Sequence, residues 1–240
     1  MQIELNTAFA ELSERFSQIP DEYELPRTGR VFQLRDPQAK SLSRSDFVWM
    51  SARMVAVSLI SCTESYLTDL LVIRRWVESV IEGNGQLDGE TANTIRRRVL
   101  SQEARTSPGN LTAKIVLNPS SDLTRAKAWL DSIYRLRVCL AHRNGVVDVP
   151  DVDGNDQLVT LWRKTRLYLE GEEITRLPTP VKKGQVITIQ LSDESRTYAV
   201  GQSINVSMQD CHDMAFSLSY LGSLVANELA SESCRSTVLE

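Results

Sequence analysis

The sequence SSDLTRAKAWLDSIYRLRVCLAHRNG, residues 120–145, decides the fold because it carries the signals of a long helix with one buried side. Its apolar residues recur every three or four positions and fall within a narrow arc of the helical wheel: Trp129, Ile133, Leu136 and Leu140. Residues 120–122 offer N-cap side chains, and Asn144 or Gly145 suits the left-handed turn that ends a helix. The pattern predicts a helix from about Leu123 to Ala141.

Further helices are predicted on both sides of this segment. The elements expected upstream are, in chain order, an amphipathic helix over 3–18, a surface linker over 20–42, helices over about 46–81 and 89–104, and a loop over 107–110. The helical period returns at Ser207 and predicts a final helix, with a frayed tail after Ala230.

A small antiparallel sheet is predicted between the last two helices. Runs of β-branched or alternating apolar residues predict four short strands, over 158–161, 166–169, 186–191 and 197–200. Turn residues separate them at 170–172 and 192–195. The chain is therefore expected to be mainly α, with a β insertion over about 157–206 before the C-terminal helix, in a single domain spanning 1–240.

The composition is that of an ordinary globular protein, and its net charge creates no overall positive potential that would attract nucleic acid. The 240 residues are 42% hydrophobic and 24% charged, with a formal net charge of -4 and a pI near 5.4. No Cys-x-x-Cys pair is present, so neither a zinc knuckle nor a disulfide framework is predicted. The N-terminus lacks a secretion signal, and polar residues interrupt the apolar run 54–73, which predicts a cytoplasmic protein with no membrane partner.

Residues 135–145 contain the candidate chemical site, because they place one of the chain's two histidines among three arginines. Arginine stabilises phosphate charge and histidine exchanges a proton near neutral pH, so together they can act on RNA without a metal. Arg137 and His142 lie about 140° apart on a straight helix, whereas Arg135 and His142 lie about 20° apart. A twofold dimer offers a second copy of each residue, which leaves either arginine open as the partner of His142.

Other candidate sites are weaker. Glu64 lies within an apolar helix, where it either pairs with Arg137 or lies on the side of the helix that faces solvent. The arginines at 96–98 point in three directions, which favours a solvated face over a track for RNA. Side chains of the Cys-His-Asp run at 211–213 diverge by about 100° each, which does not suit one metal ion. Nucleotide-binding, zinc-protease and hydrolase motifs are missing, and no cofactor or metal is expected.

The run Leu136-Arg137-Val138-Cys139-Leu140-Ala141-His142-Arg143-Asn144-Gly145 resembles the signature of the HEPN superfamily (higher eukaryotes and prokaryotes nucleotide-binding), including its RiboL-PSP-HEPN and MAE-type families. Ribonuclease members carry an arginine, four to six further residues and a histidine, often followed by a turn with glycine. The segment 61–71 is similar to the first core helix of several HEPN families, which often has an acidic residue in mid-helix. The resemblance covers roughly 46–146 plus the final helix, and Val138 stands where many members have a polar residue.

This resemblance implies a HEPN-like helical bundle that acts as a homodimeric, metal-independent endoribonuclease. The ribose 2′-hydroxyl would attack the adjacent phosphorus, while Arg137 stabilises the phosphoryl charge and His142 transfers protons. The implied supporting residues are Arg135, Arg143, Asn144 and Glu64. Proteins of this kind are often toxins or abortive-infection effectors against phage, so RNA and a cognate antitoxin are the implied partners.

Two other interpretations of the same residues stay open. The first is a non-catalytic HEPN-like module that binds RNA, nucleotides or a partner protein, which Val138 and the acidic pI favour. The second is a structural protein in which His142 only stabilises the negative end of a helix dipole. The catalytic interpretation requires an exposed His142, so burial of this side chain in the core would exclude it.

Overall fold

The computed structural model describes residues 22–24, 41–83, 86–174 and 182–238. The chain is mostly helical, with 62% helix and a three-stranded antiparallel sheet, which confirms the predicted fold class at this level. The helices are α1 (Arg44–Glu82), α2 (Gly89–Arg98), α3 (Pro108–Ile115), α4 (Ser121–His142) and α5 (Met208–Val238). A π-helical turn, Val99–Glu103, follows α2 directly. The helix predicted over 3–18 lies outside the described residues.

The first long helix has nearly the predicted bounds. α1 begins at Arg44, two residues before the expected start, and ends at Glu82. By length and apolar composition, Asp46–Glu82 is the one helix in the described part of the chain that is able to cross a membrane, and 39% of its most apolar window is buried. The buried core helix of a soluble protein meets the same criteria.

The loop predicted over 107–110 is wrong, because these residues begin α3. The hydroxyl of Ser107 accepts a hydrogen bond from the N–H of Asn110 at 3.4 Å, and Pro108 occupies the first turn of the helix. Proline is tolerated there because the first N–H groups of a helix have no internal partner. A Ser-Pro-Gly-Asn sequence is therefore equally suited to a turn and to a helix start, and the structure contains the helix start.

The sheet insertion contains two long strands where four short ones were predicted. β1 (Glu22–Glu24) pairs antiparallel with β2 (Ser41–Ser43), while β3 (Gln157–Leu169), β4 (Glu172–Glu173) and β5 (Ile187–Ala199) form a second sheet in the order β4-β3-β5. β3 and β5 pair without interruption from Gln157–Ala199 to Leu169–Ile187. The turn at 170–172 is confirmed, with φ of 51° at Glu170 and 88° at Gly171.

The turn predicted over 192–195 is wrong, because these polar residues pair with 161–164 inside the sheet. Turn propensity was misleading here, since a strand with an exposed side tolerates polar residues when its partner fixes the register. β1 and β2 likewise lie at the two ends of the segment 20–42, which was predicted as a linker.

The C-terminal helix is longer than predicted, since α5 continues to Val238 and does not fray after Ala230. The Glu232 carboxylate explains this extension. It forms an ion pair with Arg74 at 2.8 Å and accepts hydrogen bonds from the N–H groups of Leu117 and Asn118, each at 3.2 Å. These contacts fix the last turns of the helix to the chain around α3.

Two compact units make up the chain. One comprises the described residues of Met1–Ser58 and Arg135–Phe216, and the other comprises those of Leu59–Tyr134 and Ser217–Glu240. The first unit contains the three-stranded sheet and the C-terminal end of α4, with Trp162 and Tyr198 buried on the inner face of the sheet. The four apolar residues of the predicted α4 stripe are each at most 1% exposed, which confirms that stripe.

Candidate functional site

The candidate site lies at the C-terminal end of α4, which a left-handed turn terminates. Asn144 and Gly145 have φ of 54° and 73°, and the N–H of Gly145 donates to the carbonyl of Cys139, six residues earlier, at 3.2 Å. This hydrogen bond and the two positive φ values form the left-handed turn that ends the helix. Both residues proposed for the left-handed stop therefore take part in it, and α4 is helical through His142.

His142 and Arg135 share one exposed face of α4. Both side chains are exposed, and neither forms a hydrogen bond or an ion pair within the described residues. Because the helix is continuous between them, they are separated by about 20° around its axis and by about 10 Å along it. The guanidinium and imidazole groups on this face are accessible to the phosphate groups of a nucleic-acid backbone.

Arg137 lies on a different side of the same helix. It is half-buried, and its Nε is buried without a hydrogen-bond partner in the described part of the chain. The continuous helix keeps Arg137 about 140° from His142, so one protomer does not bring the two together. Val138, which is also half-buried, occupies the position after the arginine.

Arg143 neutralises a buried carboxylate. Its Nη1 lies 2.5 Å from Oδ1 of Asp151, whose side chain is only 2% exposed. The other oxygen of Asp151 accepts a hydrogen bond from the N–H of Asp148 at 3.0 Å, which closes a capping box around a 3₁₀ turn. The implied phosphate contact of Arg143 would thus compete with this ion pair.

Arg53 is a residue of this site that sequence reasoning missed. Its guanidinium lies 5.5 Å from the ring centre of Trp49, one helical turn earlier on α1, and donates to Oδ1 of Asn144. The indole N–H of Trp49 in turn donates to the carbonyl of Ile204 at 3.3 Å. Burial lowers the pKa of Arg53. The one available signal was an arginine four residues after a tryptophan within an apolar helix.

The nearby cysteine is structural. Burial raises the pKa of Cys139 to about 12, and the adjacent Asp151 carboxylate adds to the shift. The thiol therefore stays protonated near neutral pH, and it donates to the carbonyl of Val146 at 3.3 Å. Cys211 has a pKa of about 12 for the same first reason, burial. A thiolate mechanism at either cysteine is not supported.

The weaker candidates are placed as follows. Glu64 is half-buried on α1 and forms no ion pair within the described residues. The arginines at 96–98 are all exposed, which fits both a solvated face and a track for RNA. Nδ1 of His212 lies 3.6 Å from Oδ1 of Asp213. Across the described ranges, no group of three or more His, Cys, Asp or Glu side chains is arranged to hold a metal ion.

Comparison with known proteins gives no relative. No protein-family model, no curated protein and no solved structure matches the chain. The resemblance to the HEPN superfamily therefore depends on the sequence alone, on the residues of 136–145 and on the segment 61–71.

Proposed function

We propose that this protein is a metal-independent endoribonuclease of HEPN type, with its site at the end of α4. The observation that carries the proposal is the exposure of His142 together with Arg135 on one helix face, both without a partner in the described residues. Exposed imidazole is available for proton transfer, and exposed guanidinium is available for phosphate. Arginine or histidine side chains that are already paired with carboxylates would be less available to bind phosphate or to transfer a proton.

The reaction would be an internal transesterification of RNA. A base removes the proton of a ribose 2′-hydroxyl, whose oxygen attacks the adjacent phosphorus, and the bond from phosphorus to the 5′-oxygen breaks. The leaving oxygen takes up a proton, so the products are a 2′,3′-cyclic phosphate and a 5′-hydroxyl. His142 would transfer these protons, and arginine would stabilise the charge on the phosphoryl oxygens.

Arg137 would reach this reaction from a second copy of the chain. Arg137 is half-buried, so the accessible part of its side chain would be available to a phosphoryl oxygen, for which guanidinium is a strong donor. A twofold dimer would set Arg137 of one copy beside His142 of the other. Within a single copy, Arg135 is the arginine available to His142.

A cleavage assay on the full chain in EDTA tests the proposal. We expect wild-type protein to cleave RNA, His142→Ala to abolish cleavage, and either Arg137→Ala or Arg135→Ala to reduce it about 100-fold or more. Arg97→Ala is the matched arginine control, because Arg97 is exposed on α2 and forms no ion pair. Persistent cleavage by His142→Ala would exclude the assignment, and loss of cleavage on chelation would exclude the metal-free reaction.

Mixed dimers distinguish the two arginines. If Arg137 and His142 act across a dimer, co-expressed Arg137→Ala and His142→Ala chains should regain about a quarter of the wild-type activity, because half of the dimers contain one intact site of two. If Arg135 and His142 act within one copy, mixing Arg135→Ala with His142→Ala should restore little beyond the activity of either variant alone.

A non-catalytic module that binds RNA, nucleotides or a partner protein is the second candidate. The angle of about 140° between Arg137 and His142 on a continuous helix favours it, as does the apolar Val138. This candidate predicts RNA binding without product, and equal binding by wild type and His142→Ala. If the protein cleaves RNA, we further propose that it is a cytoplasmic toxin or a phage-defence effector and that a cognate antitoxin neutralises it.

A further inference from the structure

β5 is an edge strand, and in the described part of the chain no strand pairs with its outer edge. The N–H of Glu170 donates to the carbonyl of Val186 at 3.1 Å, which shows that Val186 turns its backbone groups toward the chain of β3. Consecutive residues of an antiparallel strand alternate in this respect. The N–H and C=O groups of Ile187, Ile189 and Leu191 therefore point to the open edge.

The far side of β3 confirms this alternation. Leu167 lies opposite Ile189, in a pair that does not exchange hydrogen bonds between β3 and β5. Its carbonyl accepts instead from the N–H of Ile174 at 2.7 Å, on the side away from β5. Within the described residues, the backbone groups of Ile189 thus have no partner strand and can pair with an additional one.

The open edge is apolar and lacks the usual protection. Ile187, Ile189 and Leu191 are 49%, 60% and 37% exposed, and they lie on one face of the sheet because their spacing is two residues. Natural edge strands are commonly protected by a charge, a proline or a bulge. The segment 187–191 contains no charged residue and no proline, and it pairs with β3 without a bulge.

We propose that β5 pairs antiparallel with β5 of a second copy, around a twofold axis at Ile189. In this register Ile189 lies opposite Ile189 of the second copy, and Ile187 lies opposite Leu191. All of these residues have outward backbone groups, so each pair exchanges two hydrogen bonds. The two three-stranded sheets become one sheet of six strands, and the proposal does not depend on the ribonuclease activity.

The charged residues on either side of the apolar segment favour pairing with a second copy of the chain, in the antiparallel direction. Lys182 and Lys183 precede the strand, whereas Asp193 and Glu194 follow the apolar residues. Antiparallel pairing brings the basic end of each copy to the acidic end of the other, twice by symmetry. A turn at 182–185 holds both lysines close to the start of β5, beside the acidic end of the second copy. Parallel pairing would set like charges together.

Sedimentation of the full-length protein without RNA tests the surface. Ile189→Lys places two ammonium groups at the axis and should raise the dimer dissociation constant more than about tenfold. Leu117→Lys is the matched control, since Leu117 is 66% exposed outside the sheet, and it should leave the constant unchanged. Lys183→Asp or Asp193→Lys alone should weaken the dimer, and the double variant should restore it. A monomeric wild type, or an oligomer of any size that Ile189→Lys does not weaken, overturns the proposal, because a dimer formed through α4 would be insensitive to Ile189→Lys.

Disulfide trapping tests the register without depending on folding energy. Cys62 and Cys234 are exposed and are replaced by serine first. Ile189→Cys in that background should form a covalent dimer under mild oxidation, because Cα atoms of a hydrogen-bonded pair lie about 5.5 Å apart. Ile187→Cys should not, because the two copies of residue 187 lie about 13 Å apart in this register. Equal trapping at both positions, or trapping at neither, contradicts the proposed pairing.

Discussion

Gly145→Ala measures how strongly the turn after His142 holds the end of α4. Gly145 has a φ of 73°, and a Cβ there would lie 3.3 Å from Cδ2 of Leu140, which is fully buried. The left-handed backbone costs an L-residue about 1–2 kcal/mol, and the tight contact in a packed core adds about 1 kcal/mol. We therefore expect the free energy of unfolding to fall by about 2–3 kcal/mol.

Substitutions at two other glycines separate the cost of the left-handed backbone from the cost of the tight contact. Gly171 has a φ of 88° with no atom within 4 Å of an added Cβ, so Gly171→Ala should cost only the backbone contribution of about 1–2 kcal/mol. Gly154 has neither a positive φ nor a neighbour within 4 Å, so Gly154→Ala should change stability very little. Urea unfolding followed by circular dichroism gives the free energies. A Gly145→Ala protein as stable as Gly154→Ala would refute the reasoning.

Three further predictions concern charge and burial. Burial raises the pKa of Glu232, but hydrogen bonds from Arg74 and from backbone N–H groups outweigh it and lower the pKa below 4.5. Its contribution to stability is therefore full above pH 4.5 and is lost as the pH falls through the folded-state pKa, so melting curves of wild type and Glu232→Gln should converge in acid. Asp151→Asn should cost about 1–3 kcal/mol in urea unfolding, because it leaves Arg143 without its charge partner. Thiol labelling of the native protein should modify only the two exposed cysteines, Cys62 and Cys234.

Each of these predictions has a control and a contrary outcome. For Asp151→Asn the control is Lys127→Ala, which breaks an exposed pair with Asp131 at 3.1 Å and should cost less than about 0.5 kcal/mol. Equal losses would mean that burial of the carboxylate has no effect. A constant difference between wild type and Glu232→Gln at every pH would exclude ionisation as its cause. Rapid labelling of Cys139 would contradict its burial.

The sequence predicts α4 well because every signal in it is local. The cap at Ser120, the apolar stripe and the two left-handed residues each act within one or two turns, and the structure contains all of them. The turn at 170–172 was predictable for the same reason. Signals that act over a few residues determine these elements without help from the rest of the chain.

The sequence-based predictions are wrong where contacts between distant residues decide between two secondary structures that the local sequence suits equally. Residues 192–195 are suited to a turn, but pairing with β3 makes them part of one long strand. The last turns of α5 are held by Glu232, whose backbone partners lie more than 100 residues away. No periodicity within either segment carries this information.

The same limit applies to the candidate site. The sequence indicated His142 and the surrounding arginines, and helix geometry alone gave the angles between them. The hydrogen bond from Arg53 to Asn144 joins residues 91 positions apart, so it was visible only in the folded chain. The ion pair of Arg143 spans eight residues across a loop whose path the sequence did not define.

RNA cleavage in EDTA, with analysis of the product ends, tests the central claim most directly. The claim is that the exposed end of α4 cleaves RNA through His142. Wild-type protein should release fragments with a 2′,3′-cyclic phosphate and a 5′-hydroxyl, and His142→Ala should release none while keeping the wild-type circular dichroism spectrum. Equal cleavage by both proteins, or fragments ending in a 5′-phosphate, would contradict the claim.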